Sequence, residues 1–243
     1  MHKKTTYKPF GNAAILIEWQ AIISKEILND IILFKEKIKK EKATLITDFI
    51  IGYNSLTLKY KNEIGNYCNE VESLKLIYKQ DFKLNKVEKI LWEIPVCYDL
   101  EFGIDLEEIS EKSNLSVEEI IKIHSKKTYT VFFIGFLPGF LYLGGLDKQL
   151  HFDRKPNPRL KVPKGALAIG GKQTGVYPQE SAGGWHIVGK TPIHFFDIKN
   201  ENLCFAKSGD QIKFKAISLE EFYQTEKEVL KNNYIISKTL LNG

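Results

Sequence analysis

The chain has 243 residues, of which 43% are hydrophobic and 27% charged, with a net charge of +5 at pH 7. This balance is typical of globular domains and excludes intrinsic disorder, collagen-like repeats and low complexity as descriptions of the whole chain. The three cysteines lie far apart without C-x-x-C spacing, and no segment approaches the ~18 apolar residues of a membrane span. We therefore expect a cytoplasmic protein in a reducing compartment that does not enter the membrane.

Residues 1–91 predict a small α+β domain, because strand-like runs alternate with helix-like periodicity. The Gly11-Asn12 turn signal indicates a hairpin or a strand bend. Isoleucines from Ile22 to Ile38 recur near the helical period of 3.6 residues, with Lys and Glu between them. The predicted elements are strands at 5–10 and 13–19, a helix over 22–38, strands at 43–51 and 55–60, a helix at 67–78, and a strand over 86–97 that runs across the domain boundary.

Residues 92–243 predict a mainly β domain. It begins with an acidic, helical segment over 98–127, in which Ser116 and Glu119 have capping-box spacing. The next predicted strand, 129–136, precedes about 55 residues dense in Gly and Pro, a pattern that favours a barrel or sandwich with long ordered loops. A strand over 211–217 and an amphipathic helix over 219–230 complete the domain.

The common catalytic motifs are absent from the sequence. A Gly-Gly-Lys occurs at 170–172, but a phosphate-binding P-loop needs glycine where Ala166 stands and Ser or Thr where Gln173 stands. No two histidines share one helical face, so we expect no metal bound by this chain alone. No nucleic-acid-binding module is present, and we expect no nucleic-acid partner.

Residues 128–190 carry eight Lys and Arg against three Asp and Glu, among many glycines and prolines. Such loops combine rigidity with close backbone approach, and the positive charge favours an anionic ligand. The sequence therefore points to this segment as the place for a pocket.

The spaced residues of this segment also carry a family resemblance. They are Gly135–Phe140, Pro158–Gly165, Gly170–Pro178 and Gly183–Pro192, together with Phe10–Glu18 and Glu93–Tyr98. With them the chain resembles the family of the 5-oxoprolinase B subunit, also named KipI and allophanate hydrolase subunit 1, of the carboxyltransferase subdomain C and D type. The resemblance implies an α+β N-terminal domain followed by a mainly β, cyclophilin-like barrel domain.

The resemblance further implies an ATP-dependent 5-oxoprolinase, which converts 5-oxo-L-proline, ATP and water to L-glutamate, ADP and phosphate. It implies two partners, the carboxyltransferase-like C subunit together with the lactamase-like A subunit, and an active site at the subunit junction. ATP, with Mg²⁺ as its counter-ion, would act in the assembled complex, and no biotin is expected on this chain. Two alternatives stay open: a KipI-type inhibitor of a sensor histidine kinase, and a subunit of a urea- or allophanate-type amide carboxylase or hydrolase.

Three residues are candidates for catalysis, each with a structural alternative. His124 ends the acidic helix, where an acid–base role competes with stabilisation of the helix dipole. Arg159, fixed between Pro158 and the following strand, suits either an anion or a structural salt bridge. Glu180 is a nearby carboxylate that would orient a base or pair with lysine.

The candidates for substrate or nucleotide binding lie in the Gly/Pro-rich loops, where donors stand beside flexible backbone. Each of these residues also has a structural interpretation: loop packing, a solvent-exposed lysine, a buried core tryptophan, or a turn whose hydrogen bonds are made within the turn. The residues are Gly139, Lys161, Gly171, Gln173, Thr174, Tyr177, Trp185, Lys190 and Thr191.

Three aromatic residues, Phe136, Phe140 and Tyr142, are candidates for a partner surface. An aromatic-rich, rigid loop is typical of protein interfaces, although the same residues would also serve to pack the loops.

Overall fold

The computed structural model describes residues 3–81, 88–199 and 203–241. The chain divides into two compact units, residues 1–87 and 88–243. The predicted boundary at 91/92 falls inside a strand, Lys89–Cys97, that belongs entirely to the second unit.

The first unit is a four-stranded antiparallel sheet with two helices. The sheet order is β1-β2-β4-β3, and the Gly11-Asn12 turn joins β1 and β2 as a hairpin. Its elements are β1 (Thr6–Pro9), β2 (Ala14–Glu18), α1 (Lys25–Lys42), β3 (Ile46–Ile51), β4 (Ser55–Tyr60) and α2 (Tyr67–Lys79).

The core of the first unit lies between the sheet and the helices. Alternate residues of β2, Ile15 and Ile17, are fully buried, as period-2 side-chain alternation requires. Helix α1 begins only at Lys25, because the Ser24 hydroxyl accepts from the Ile27 amide as an N-cap. Ile22, which the periodicity assigns to the helix, therefore precedes it and is 48% exposed.

The second unit contains a closed barrel surrounded by three helices and a short 3-10 helix at Lys148–Leu150. Its elements are β5 (Lys89–Cys97), α3 (Leu106–Ser113), α4 (Val117–Lys126), β6 (Thr128–Ile134), β7 (Leu141–Gly144), β8 (Arg159–Val162), β9 (Ala166–Gly170), β10 (Gln173–Val176), β11 (Ser181–Gly183), β12 (His186–Lys190), β13 (Gln211–Ile217), α5 (Leu219–Leu230) and β14 (Ser237–Leu241).

Seven strands of the described residues close the barrel in the order β12-β9-β10-β7-β6-β13-β5 and back to β12. β5 and β13 are parallel over seven residue pairs, whereas β12 meets β5 at the single pair Lys190 and Cys97. β14 pairs antiparallel with β5 in addition to these seven strands. β8 and β11 form a separate two-stranded ribbon. The fold predicted from the sequence, an α+β domain followed by a mainly β, cyclophilin-like barrel domain, is confirmed.

Two local predictions need adjustment. The acidic segment is broken into α3 and α4, because Asn114 adopts a left-handed conformation with φ +55° after α3. The strand predicted over 129–136 ends at Ile134, before Phe136 with its φ of +67°. The Ser116 and Glu119 capping box is confirmed at the start of α4.

Of the helices in the described ranges, none combines the length and the apolar character needed to cross a bilayer.

Candidate binding site

A pocket of about 220 Å³ opens on the second unit, beside the ribbon of β8 and β11. Four stretches of sequence contribute to it: the loop after β6 with the start of β7, the segment before β8, the residue after β10, and β11 with the residues that follow it. The lining residues are Phe136, Phe140, Tyr142, Arg154, Pro158, Tyr177, Ala182, Gly183, Gly184 and Trp185.

Phe140 organises the aromatic wall of the pocket. It is 2% exposed, and its ring makes edge-to-face contacts with Phe136, Tyr177 and Trp185 at centroid distances of 5.6, 5.3 and 5.5 Å. Tyr142 packs against it at 4.9 Å. Edge-to-face pairs in this range are attractive beyond their buried area, so the wall is rigid.

The loop before Phe140 presents Phe136 to solvent. Phe136 is 62% exposed and has a left-handed φ of +67°, a conformation that costs a non-glycine residue about 1–2 kcal/mol. Gly139 also has a positive φ, and a Cβ there would lie 2.7 Å from the Phe195 carbonyl oxygen. Gly139 therefore serves the turn, while the strained Phe136 places an aromatic ring at the mouth of the pocket.

Gly183 keeps the pocket open beside Tyr177. A Cβ at Gly183 would overlap the Tyr177 hydroxyl, whereas at Gly184 the nearest atom would be 3.4 Å away. Burial raises the pKa of the Tyr177 hydroxyl, so this group is neutral and takes part in a hydrogen bond with the Trp185 backbone. A glycine at 183 is thus a steric requirement of the wall.

Arg154 supplies the positive charge of the pocket. Its guanidinium lies 5.9 Å from the centroid of Trp185. Burial raises the pKa of the Tyr142 and Tyr177 hydroxyls, and the charge of Arg154 opposes that rise at both. The pocket therefore combines aromatic walls with one cation, which suits a small, flat anion.

Arg154 is not among the site residues predicted from the sequence, although the sequence contains a signal for it. Among 35 Lys and Arg residues only two are arginine, Arg154 and Arg159, and they stand five positions apart. Since lysine provides every other cation, arginine here indicates a need for a planar guanidinium.

Arg159 lies behind this wall in an ion cluster around Asp105. Its Nη2 donates to Asp105 Oδ1 at 2.6 Å, and its buried Nη1 has no hydrogen-bond partner. Lys155 Nζ lies 3.0 Å from the same Asp105 oxygen and also donates to Glu108. Of the two interpretations of Arg159, the structure shows the salt bridge; a role toward an anion stays a prediction.

Glu108 and His186 complete the cluster. Hydrogen bonds from Lys112 and Lys155 lower the pKa of Glu108 to about 2, and burial lowers the pKa of His186. The Nε2 of His186 donates to the Asp153 carbonyl at 3.0 Å, since a carbonyl only accepts. Its Nδ1 is buried without a hydrogen-bond partner, 4.0 Å from Glu108 Oε1.

Asp105, Glu108 and His186 offer possible metal ligands within 4.8 Å of one another. The Lys155 ammonium contacts both carboxylates, so the cluster is already neutralised by the protein's own cations. A divalent ion would have to displace Lys155 beside the charged Arg159, and the residues do not fit one well. The expected absence of a bound metal stays a prediction.

His124 lies in the barrel core rather than at the pocket. It is 1% exposed; its Nδ1 is 2.9 Å from the Tyr98 hydroxyl, and its Nε2 is 3.0 Å from the Thr174 hydroxyl, which donates to the Ala168 carbonyl. Burial lowers the pKa of His124 to about 3. This geometry supports a structural role for His124 and Thr174.

The other predicted site residues are dispersed. Lys161 and Glu180 form a loose, exposed pair at 3.7 Å. Lys190 Nζ lies 5.0 Å from the Phe102 ring centroid, a cation–π contact. The buried Thr191 hydroxyl accepts from the Ile193 amide at 3.2 Å, which satisfies its own turn.

Two further predicted residues lie at the β9–β10 turn. Gly171 has a φ of +61°, and its amide donates to the Phe152 carbonyl at 2.6 Å. Gln173 pairs with Gly170 and Gly144 on the neighbouring strands, and its buried Nε2 has no partner.

The structure thus joins two sets of predicted residues in one place. The ligand candidates Tyr177 and Trp185 line the same pocket as the partner-surface candidates Phe136, Phe140 and Tyr142. Arg159 stands next to the lining residue Pro158. The residues that sequence reasoning missed are Arg154, Asp105 and Lys155.

Comparison with known proteins identifies the family of the chain. Residues 5–206 match the family described as carboxyltransferase domain, subdomain C and D. The chain is 32% identical over 231 residues to the B subunit of 5-oxoprolinase from Bacillus subtilis (strain 168), an alignment that covers 90% of this chain and 95% of that protein.

Solved structures give the same result for the fold. TTHA0988 superposes with a TM-score of 0.72 at 29% identity over 84% of this chain, and the urea carboxylase of Kluyveromyces lactis with 0.81 at 17% identity over 98%. The chain spans 40% of the length of TTHA0988 and 24% of that of the urea carboxylase. It belongs to the carboxyltransferase-domain family, subdomain C and D.

Proposed function

We propose that the chain is the B subunit of an ATP-dependent 5-oxoprolinase, which turns 5-oxo-L-proline, ATP and water into L-glutamate, ADP and phosphate. The observation that carries the proposal is the 32% identity to the B subunit of a 5-oxoprolinase over 95% of that protein. The same relatives support a broader assignment, in which the chain is a subunit of an enzyme complex that acts on an amide-like bond. The proposed partners are the carboxyltransferase-like C subunit together with the lactamase-like A subunit, in the cytoplasm.

The chemistry of the pocket supports this choice of substrate. 5-Oxoproline is a flat five-membered ring with one carboxylate, and the pocket provides aromatic faces and the Arg154 guanidinium. Arginine binds carboxylates through paired hydrogen bonds. In the proposal Arg154 holds the carboxylate, and Phe140, Tyr142 and Trp185 surround the ring.

The size of the pocket argues against ATP as its ligand. The pocket has a volume of about 220 Å³, which is below the ~300–1,000 Å³ usual for pockets that hold larger ligands. A wider groove of about 570 Å³ carries four lysines, Lys122, Lys126, Lys213 and Lys215, but it lies at the C-terminal end of α4, where the helix dipole disfavours phosphate. We therefore assign the binding of ATP and Mg²⁺ to one of the partners.

The proposal is tested by co-purifying the chain with the products of its neighbouring genes and measuring ATP-dependent formation of glutamate from 5-oxoproline. Arg154→Ala should lower kcat/KM by about 10- to 100-fold, because a charge-assisted contact is lost. Arg154→Lys should recover only part of the activity, and Lys148→Ala, outside the pocket, should retain it.

Two outcomes would count against the proposal. An assembled complex without 5-oxoprolinase activity would favour a different amide substrate, and full activity of Arg154→Ala would remove the pocket from the substrate site. Tight binding of the chain to a sensor histidine kinase, in an assay where the complex is inactive, would favour the inhibitor alternative, for which the exposed Phe136 offers a contact.

A further inference from the structure

Asp105 stands at the N-cap position of α3, yet its carboxylate caps nothing in its own helix. An aspartate in this position ordinarily accepts a hydrogen bond from an amide of the first turn. Asp105 is 2% exposed, and a buried carboxylate needs strong partners elsewhere. Its contacts therefore serve something other than the start of the helix.

The carboxylate joins three separate segments of the chain. Oδ2 accepts from the Ile187 amide of β12 at 2.7 Å. Oδ1 accepts from Arg159 Nη2 of β8 at 2.6 Å and lies 3.0 Å from Lys155 Nζ. The Asp105 amide also donates to the Ile187 carbonyl at 3.0 Å, which fixes α3 against β12.

Each of these three partners is one or two positions from a residue that lines the pocket. Lys155 follows Arg154, and Arg159 follows Pro158. Ile187 comes two residues after Trp185. A backbone hydrogen bond also ties the Asp105 cluster to the pocket: the Lys155 amide donates to the carbonyl of Gly184, another lining residue, at 2.7 Å.

We propose that Asp105 is the positioning residue of the pocket: its carboxylate holds the segments that carry Arg154, Pro158 and Trp185 in one wall. Asp105 does not touch the pocket itself and acts through Lys155, Arg159 and Ile187. Its role in substrate binding rests on the proposed function, whereas its role in the geometry of the wall does not.

Charge makes the arrangement sensitive to the loss of Asp105. Burial raises the pKa of its carboxyl, but the bonds from Arg159, Ile187 and Lys155 outweigh burial and leave that pKa below its usual value. Without the negative charge, Lys155 and Arg159 would repel each other behind the wall. The segment from Arg154 to Pro158 would then move, and Arg154 with it.

The chain contains a matched control. Asp210 is also buried, and its carboxylate accepts from the Ile90 and Lys207 amides and from Trp92 Nε1 at 3.1 Å. Asp105 and Asp210 thus hold similar backbone contacts near different tryptophans, Trp185 and Trp92. Trp19 belongs to the separate core of the first unit and serves as the internal reference signal.

The experiment records the three indole N–H signals by NMR in the full chain. Asp105→Asn should shift the Trp185 signal and leave those of Trp92 and Trp19 in place, while Asp210→Asn should shift Trp92 alone. In the assembled complex, Asp105→Asn should raise the KM for 5-oxoproline by about tenfold or more, with a smaller change in kcat. Asp105→Glu keeps the negative charge, so it should cause a smaller shift of the Trp185 signal and a smaller rise in KM than Asp105→Asn.

An unchanged Trp185 signal in a folded Asp105→Asn protein would overturn the proposal. If Asp105→Asn does not fold, Lys155→Met and Arg159→Met give the same test one contact at a time, and no shift of Trp185 in either would overturn it. A shifted Trp185 signal with an unchanged KM would leave the positioning role intact and contradict the proposed substrate site instead.

Discussion

His124 illustrates at the scale of single residues how burial decides the role of an ionisable side chain. From sequence, its place near the end of α4 fits both a dipole-stabilising cation and an acid–base catalyst. In the fold its ring stacks on Phe214 at 5.3 Å and lies 2.9 Å from the Tyr98 hydroxyl. A charged imidazole is costly in such surroundings, so the residue is neutral at physiological pH.

This burial predicts a pH dependence of stability. The pKa of His124 is about 3 in the folded chain and about 6.5 when unfolded. The unfolded state therefore binds more protons, and this contribution to stability is present above about pH 6.5 and is lost as pH falls toward 3. The slope amounts to about 1.4 kcal/mol per pH unit.

Urea unfolding between pH 7.5 and pH 4.5 measures this effect. His124→Gln should be less stable than the parent at pH 7.5, and its free energy of unfolding should fall less steeply with acid. Identical slopes for the two proteins would show that His124 does not stay neutral in the fold.

The loop from Gly135 to Phe140 shows, at the scale of elements, a local conformation that sequence periodicity cannot predict. The strand pattern continues to Phe136, but the chain turns at Gly135, whose amide donates to the Phe140 carbonyl at 3.1 Å. Phe136 enters the left-handed region with its side chain exposed. Backbone strain combined with an exposed aromatic ring is what a binding residue would show, so it agrees with the prediction of a partner surface at Phe136.

Replacing Phe136 should therefore separate stability from assembly. Phe136→Gly should raise the free energy of unfolding by up to about 1 kcal/mol, because glycine adopts the positive φ without strain. The same change should weaken association with the proposed carboxyltransferase-like partner about tenfold or more, as loss of an aromatic anchor does. Denaturant titration and sedimentation of the mixed proteins measure the two effects.

Leu230 offers a control for this prediction, since it is 67% exposed at the end of α5. Leu230→Ser should leave the association unchanged. Weakening by Leu230→Ser to the same degree as by Phe136→Gly would mean that the contact is not specific to the loop.

Local signals predicted most of the elements correctly. Gln211–Ile217 and Leu219–Leu230 have the predicted bounds, because a period-2 strand and a Ser218 capping box are encoded within a few residues. The pocket was predictable only in part, since its ion cluster joins residues that are 54 and 82 positions apart in sequence. Asp105 carries no local mark of its role, whereas Arg154 is marked in the sequence only by the rarity of arginine.

At the scale of the whole molecule, the described residues of the first unit form one hydrophobic core, and those of the second form a barrel core and a smaller cluster around Phe140 and Trp185. Ile31, Phe34 and Leu74 belong to the core of the first unit, and Ile94, Leu143 and Phe214 to that of the barrel. Each unit also completes its own sheet. A unit with its own core and its own strand pairing meets the requirements of an independent domain.

Residues 88–243 should therefore fold without residues 1–87. The expected result is a cooperative thermal transition for the shorter chain and dispersed NMR signals with a Trp185 indole position equal to that of the full chain. A molten or aggregated product would show that the barrel depends on the first unit.

The single residue pair between β12 and β5 has a consequence for the pocket. β5 pairs with β13 over seven residues but with β12 only through Lys190 and Cys97. Because a single residue pair closes the sheet, we expect the barrel to open first between β12 and β5. β12 begins directly after Trp185, so one residue of the pocket wall is attached to the strand that we expect to open. A ligand seated against Trp185 would hold the start of β12 in place, and we expect slower hydrogen exchange along β12 when the pocket is occupied.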